Sequence, residues 1–429
     1  MLSYYNLAII DIHPSINTFH FTTAGNWSEP SNWLGGALPG VNDEVIIDAP
    51  CQLDQNATVA ALTVSDGQSL TLQSGKTLTV TGTLTNTSAA GLVIKDGAQL
   101  INASANVAAT MEKDITAYNN SNPDGWYTIA SPMNEMAVAG SNFLTPSYDL
   151  YRFNETSLNH KEWENYKANL EDFTTFENGR GYLYANGNAF SPTFTGTLNA
   201  SAVTVPLTCT ERPNDQFSGF NLIGNPFPHE IYKGEGGAID NANLASGYYT
   251  LTNEGTWEVH SFDDAIQPGQ GILVKATAPT NLTIAQSNDE ASSESGEAKM
   301  ETAMLRISVE GDDGKDRAYV YFGQGIGLDK VEDFGQYAPS IAIRAENRDF
   351  AIAHLDKKSD VIELVFTTPN SGDATLKVNA INSGFDSLHL FDCSTGVDID
   401  LLQQSSYTFS ASAQAGERHF KLLYKQSEK

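Results

Sequence analysis

At 429 residues the chain is long for one ordinary domain, and 40% apolar with 10% aromatic residues gives it material for several packed cores rather than a disordered coil. The 52 acidic against 24 basic residues leave a net charge of −28. That charge repels phosphate backbones and anionic lipid headgroups, so nucleic-acid binding and docking on acidic membranes are excluded as functions.

Length alone suggests about three domains. No stretch approaches the ~20 apolar residues that a membrane-spanning helix needs, so no transmembrane segment is expected. The three cysteines, Cys51, Cys209 and Cys393, are scattered and form no CxxC pair. Neither a disulfide framework nor a zinc site is expected, and each thiol is read as a small buried hydrophobe. Residues 1–20 are a leader to which no element is assigned. They lack a basic stretch and a small-residue cleavage site, so an export signal would lie outside this chain.

The first pattern follows the leader. Leu62-Thr63-Val64, Leu70-Thr71-Leu72 and Leu78-Thr79-Val80 recur every eight residues, with Gly67 and Gly75 in phase. Leu92-Val93-Ile94 and Leu100-Ile101 restore the phase, with Gly97. Each octad reads as a short strand with two inward apolar residues flanking a threonine, closed by a glycine turn. One octad cannot bury its apolar side alone. The octads are therefore expected to be the sides of a short β-solenoid over 21–105, in preference to a meander. Asn26-Trp27 to Gly40 would cap it, with Val45 and Ile47 in its first strand.

The second pattern is a duplication. Gly125-Trp126-Tyr127-Thr128-Ile129-Ala130-Ser131-Pro132-Met133 parallels Gly219-Phe220-Asn221-Leu222-Ile223-Gly224-Asn225-Pro226-Phe227. Trp163 and Trp257 keep the same offset, and Gly179-Arg180-Gly181 parallels Gly269-Gln270-Gly271. The prolines belong at strand ends and the Gly-x-Gly elements at turns of positive φ. A duplicated, jelly-roll-like β-sandwich is expected over 106–286. One segment, Glu162–Glu171, has helical character, although Trp163 fits a strand by analogy with its duplicate. Residues 287–302, rich in Ser, Glu and Ala, read as a flexible linker. Over 303–429, alternating segments from Leu305–Val309 to Phe420–Tyr424 read as a C-terminal β-sandwich. The expected fold class is thus all-β throughout.

Several of these stretches resemble extracellular multidomain proteins of Bacteroidetes, many of them type IX secretion cargo. Asn26-Trp27 to Ile47 is similar to the opening of their β-helix regions. Gly219-Phe220-Asn221-Leu222-Ile223-Gly224-Asn225-Pro226-Phe227-Pro228 is similar to their Gly-Trp-Asn-Leu-Ile-Gly-Asn-Pro-(Phe/Tyr)-Pro motif, with Phe220 in place of Trp. Pro268-Gly269-Gln270-Gly271 matches their Pro-Gly-Gln-Gly turn. Leu390-Phe391-Asp392 through Phe420 looks like the sandwich that often precedes their sorting domain, although no Pro-Asn-Pro-led sorting domain follows Tyr424. The resemblance implies an extracellular or outer-surface location. Asp386-Ser387-Leu388 also matches the short acceptor of their O-glycosylated members, which makes Ser387 a candidate modification site.

No catalytic constellation is found. The eight histidines show no metalloprotease spacing, and no Gly-x-Ser-x-Gly elbow is present. Asp66 and Asp96, the acids of the octad region, sit in turns rather than as a facing pair. The chain is read as no enzyme. The binding candidates are aromatic: Trp126, Trp163, Tyr166, Tyr248, Tyr249 and Trp257. Core filling competes with sugar stacking at the tryptophans, and Tyr166 and Tyr248 are preferred as surface positions. Asp312, Asp313 and Asp316 around Gly314 offer oxygen ligands for Ca²⁺, with an ordinary hairpin turn as the alternative. Loops Glu135–Pro146 and His229–Asn243 would carry contacts. The expected function is a non-enzymatic secreted or surface module for adhesion or scaffolding, contacting glycan or another protein. The rival is a carbohydrate-active enzyme or an accessory region of one. Oligomeric state stays open.

Overall fold

A computed structural model of the chain describes residues 17–119, 124–158, 160–212, 215–233, 238–239, 241–261, 264–286, 303–333, 338–355, 360–381 and 384–427. The predicted linker over 287–302 and most of the leader lie outside these residues, as does part of the loop His229–Asn243. The fold is all-β; among the described residues helical content is confined to single 3₁₀ turns. The chain divides into two compact units. One comprises Met1–Glu112 with Thr195–Ala200, and the other Lys113–Phe194 with Ser201–Lys429.

In the first unit every pairing between consecutive layers is parallel. Ala61–Val64 pairs with Leu84–Thr85, Leu70–Leu72 with Leu92–Ile94, and Thr77–Val80 with Gln99–Ile101. Each of these three strands thus meets the third strand after it, and consecutive octads fall on three different sheets. The flanking residues of the octads (Leu62, Val64, Leu70, Leu72, Leu78, Val80) are all buried. Each of these strands thus buries two apolar side chains. Thr63 faces solvent as expected, whereas Thr79 is buried. At the entrance, Trp33 stands edge-on to Phe21 and Trp27 at 5.1 and 4.8 Å. Its indole N–H donates to the Trp27 carbonyl at 2.8 Å. The buried ring therefore keeps its polar atom satisfied while covering the first strands.

In the second unit the duplication folds twice into one topology. Copy one forms a sheet in the order Tyr127–Ala130, Gly181–Asn186, Tyr148–Phe153, Trp163–Asn165, with a side pair of Met136–Ala137 and Thr175–Phe176. Copy two repeats it as Phe220–Gly224, Gly271–Lys275, Tyr248–Leu251, Trp257–His260, with the side pair Ile231–Tyr232 and Ala265–Ile266. The helical character read over Glu162–Glu171 is overturned. Trp163–Asn165 is a strand, and only Tyr166–Ala168 turns, as 3₁₀.

The copies meet about a pseudo-twofold axis. Ile129 bridges to Gln270, and the equivalent Ile223 bridges to Arg180. Likewise Ala130 N–H donates to Gly269 O at 3.0 Å and Gly224 N–H to Gly179 O at 2.9 Å. This is an isologous contact within one chain. Gly179 and Gly269 both take φ +71°, the left-handed turn that glycine reaches without strain. At the axis the equivalent residues Ala130 and Gly224 face each other. A Cβ on Gly224 would lie 2.1 Å from the Ala130 Cβ, so only one of the pair can carry a side chain.

The motif residues are structural. Asn225 donates to the carbonyls of His229 and Ile266 and accepts from Phe227 N–H. Its counterpart Ser131 accepts from Met133 N–H in the same place. These bonds hold the chain reversal where Pro132 and Pro226 end the strand.

The strands of 303–429 do not divide into the two sheets of the expected sandwich. They are hydrogen-bonded in one eleven-stranded sheet running from Asp398–Asp400 through Val361–Thr367 and Met304–Gly311 to Ser406–Ala411. The sheet curls over a single core. Phe409, on its last strand, touches Phe366 and Phe420 from its other half at 5.1 Å each.

Nor are 106–286 and 303–429 separate bodies. Tyr319, Tyr321, Leu328 and Ile352 of the curled sheet share one apolar cluster with Phe220, Tyr249, Leu251, Trp257 and Leu273 of copy two. Asp329 pairs with Lys275 of copy two and with Arg348 beside it.

Candidate functional site

Most of the aromatic binding candidates fill cores. Tyr248 and Tyr249 are fully buried, and Tyr166 and Trp257 nearly so. Tyr248 donates its hydroxyl to Asp264 O at 2.8 Å and stacks on His260. Tyr249 donates to Asp329 O at 2.6 Å and accepts from Val331 N–H, and burial raises its pKa. Tyr166 packs edge-on to Phe173 at 5.4 Å. The preference for Tyr166 and Tyr248 as surface positions is therefore overturned: Tyr166, in a 3₁₀ turn, is covered by Tyr148 and Phe173, and Tyr248 lies in the apolar cluster of Ile223, Phe227 and Ile272. Trp126 and Trp163 are half-buried, against Tyr118 at 5.3 Å and Phe153 at 4.8 Å.

The acid turn is also reassigned. Asp316 pairs with Lys330 and accepts the Ile341 N–H at 2.7 Å, which spends its charge inside the sheet. Asp313 accepts from Asn370 Nδ2 at 2.9 Å, and Asp312 is exposed. The three acids do not converge on one point. Among the described residues, the His/Glu/Asp group close enough to share an ion is His160, Glu162 and Asp215. There Arg212 Nη1 lies 2.8 Å from Glu162 and 3.3 Å from Asp215, so a cation already sits on both carboxylates. Ser387 is half-buried on strand Phe385–Asp392, opposite Lys425. Of the thiols, Cys51 is buried as expected, whereas Cys393 is exposed.

Those acids do form part of a larger feature. A cleft of about 700 Å³ opens between the copy-two hairpin Tyr248–His260 and the hairpin Met304–Phe322 of the curled sheet. Glu254 and Glu258 line it from the first hairpin, Glu310, Asp312, Asp313 and Asp316 from the second, and Asp333 from the segment after Leu328–Asp329. Lys315 and Arg317 are the cationic side chains on its walls. Arg317 pairs with Glu258 across the cleft. Leu251, Trp257 and Ala338 give the base apolar edges, and Glu254, Glu310 and Asp312 stand exposed on the rim.

Asp333 is the perturbed group. Burial pushes its pKa up to about 6, against the Trp257 backbone N–H that donates to it at 2.6 Å and the nearby Lys330 charge, both of which favour the carboxylate. Thr250, also on the wall, is hydrogen-bonded to His260 at 2.8 Å, and His260 in turn to Asp264 at 3.1 Å. This chain of three has the order of a nucleophile, base and acid. The Thr250 residue is only 6% exposed, however, so the chain props the hairpin rather than presenting a hydroxyl to a substrate.

Sequence reasoning singled out Asp312, Asp313, Asp316 and Trp257 but assigned them to two different sites. Glu254, Glu258, Glu310 and Asp333 were missed. The acids flanking each hairpin turn were the available signal, and the pairing of two hairpins about 60 residues apart was not in the sequence.

The architecture defines an all-β protein with an internally duplicated centre. Over residues 18–235, a little over half its length, the chain matches a family described as a domain of unknown function, DUF8693, and it belongs to that family. No curated protein and no solved structure matches it.

Proposed function

We propose that this protein is a non-enzymatic secreted or cell-surface module that acts in adhesion or as a scaffold, with the acidic cleft as its contact site. The cleft carries the reading. It is the concave surface where two rigid hairpins place polar groups around an apolar base, as binding sites usually do. In this reading the first unit is a short three-sided β-solenoid, supported by the parallel pairing of each octad strand from Ala61–Val64 to Thr77–Val80 with the third strand that follows. The central copies form a sandwich-like body, supported by apolar clusters on both faces of the copy-two sheet. Of these, the copy-two sheet supplies one wall of the cleft.

The test has two parts. Protease shaving and antibody labelling of intact producing cells, or assay of their medium, should find the protein; detection only after lysis would contradict surface display. Binding of the purified chain to a glycan array and to immobilised surface proteins should be lost when Glu310 and Asp312 are neutralised. Turnover of a polysaccharide by the purified chain, abolished by an acid-to-amide change, would replace this reading with the enzymatic one.

A further inference from the structure

Resting on the cleft's proposed contact role, we infer that its occupant is a lysine- or arginine-bearing segment of a partner protein. Three features of the cleft point the same way. Among the described residues seven carboxylates line it against two cationic side chains; with Glu258 held by Arg317 and Asp316 by Lys330, the exposed Glu254, Glu310, Asp312 and Asp313 are left to meet an occupant, against Lys315. The rim is acidic while the base has the apolar edges of Leu251, Trp257 and Ala338. Lysine and arginine have that same division, an aliphatic stem and a charged end. The volume of about 700 Å³ accommodates several side chains and far exceeds a single ion.

Rival occupants fit less well. A metal ion needs ligands converging on a point, and among the described residues no three acids of the cleft come close enough to share one. A neutral sugar needs an open aromatic plane, but Trp257 is almost wholly buried. A nucleic acid or an acidic polysaccharide would meet like charge. The excess negative charge of the whole chain would also raise the encounter rate of a basic partner.

The probe is a fluorescein-labelled peptide of alternating lysine and serine, ten residues long, followed by anisotropy with the full chain. Its glutamate–serine counterpart serves as the negative. The lysine peptide should bind, and binding should weaken steeply between about 50 and about 300 mM salt. The double variant Glu310→Gln/Asp312→Asn should weaken it by about tenfold. The variant Glu171→Gln/Asp172→Asn removes the same charge from an exposed stretch of copy one and should leave it within about twofold. Both positions changed in each variant are exposed, so folding is preserved. Equal weakening by the two variants would mean diffuse attraction to an acidic protein and would overturn the inference. Absence of peptide binding, with a neutral glycan bound and lost on the Glu310/Asp312 change, would overturn it while leaving the cleft a contact site. Absence of both would remove the inference and the proposed contact role together.

Discussion

The two central copies share a frame and differ in what meets their outer faces. In copy one, Arg152 on strand Tyr148–Phe153 pairs with Glu164 directly opposite. In copy two the equivalent pair is Thr250 and Glu258, and the arginine comes instead from the curled sheet, as Arg317. Copy one closes its own charge pair, while copy two leaves an acid that a neighbouring sheet must answer. The same divergence replaces Tyr166 with His260 and shortens the hairpin loop, so that Glu254 reaches the rim of the cleft. A repeated backbone is held by a few anchors, namely the Gly-x-Gly turn, the Asn or Ser at the proline reversal, and the tryptophan. The positions between the anchors are free to become an interface.

At the axis between the copies the backbones approach so closely that a single methyl group matters. Gly224→Ala should destabilise the second unit by about 2–4 kcal/mol, because the new methyl group collides with Ala130. Ala130→Gly in the same chain should recover most of that loss in urea denaturation. A neutral Gly224→Ala, or a failed rescue, would mean that the copies do not meet as described.

Asp392 in the curled sheet tests a buried charge of the other kind. Burial disfavours its carboxylate, but Arg418, the Thr395 and Tyr407 hydroxyls and the Ser394 N–H more than offset that and hold its pKa down at about 2. A depressed folded pKa stabilises above the unfolded value and is lost as pH falls from about 4 to about 2. Asp392→Asn should cost about 2–3 kcal/mol at neutral pH and less near pH 2. Chemical denaturation at both pH values reads this difference.

Asp333 should behave in the opposite sense. Its folded pKa of about 6 lies above the unfolded one, so the protein binds the proton more tightly when folded, and stability falls as pH rises from about 4 to about 6. Asp333→Asn keeps the acceptor for Trp257 N–H and should be more stable than the parent by about 1–2 kcal/mol at pH 7, with little difference at pH 4. Equal stability of variant and parent at both pH values would mean that Asp333 is not desolvated in the cleft wall.

The smallest effect concerns the charge pairs that distinguish the copies. Arg152→Ala should cost only about 0.5–1 kcal/mol, since Arg152 and Glu164 are both partly exposed. Arg317→Ala should cost a similar amount in stability and, unlike the first, make the cleft more negative and strengthen binding of a cationic peptide.

The octads were legible because a period of eight with glycine in phase states both strand and turn. The central copies were legible because their anchors are local. What the sequence did not reveal is contact at a distance. Nothing in Tyr249 or Trp257 says that another sheet will cover them; their period-two alternation suits a ring facing solvent or a ring sharing a core with Tyr319 and Tyr321 equally well. The continuity of the eleven-stranded sheet was hidden for the same reason. Strand segments identify themselves, but whether the last one, Ser406–Ala411, joins the first sheet or starts a second depends on its partner Gly372–Ile381. The cleft combines both problems, because its walls are hairpins from two modules.

Tyr249→Ala puts the shared packing of copy two and the curled sheet to the most direct test. Hydrogen exchange would be followed in strands Phe220–Gly224 and Phe385–Asp392 through a denaturant series. With Tyr249 wedged among Tyr319, Tyr321 and Leu328, both strands should lose protection together, by the same free energy of about 3–5 kcal/mol. Loss of protection in Phe220–Gly224 with Phe385–Asp392 unchanged would show two independent modules and contradict the account.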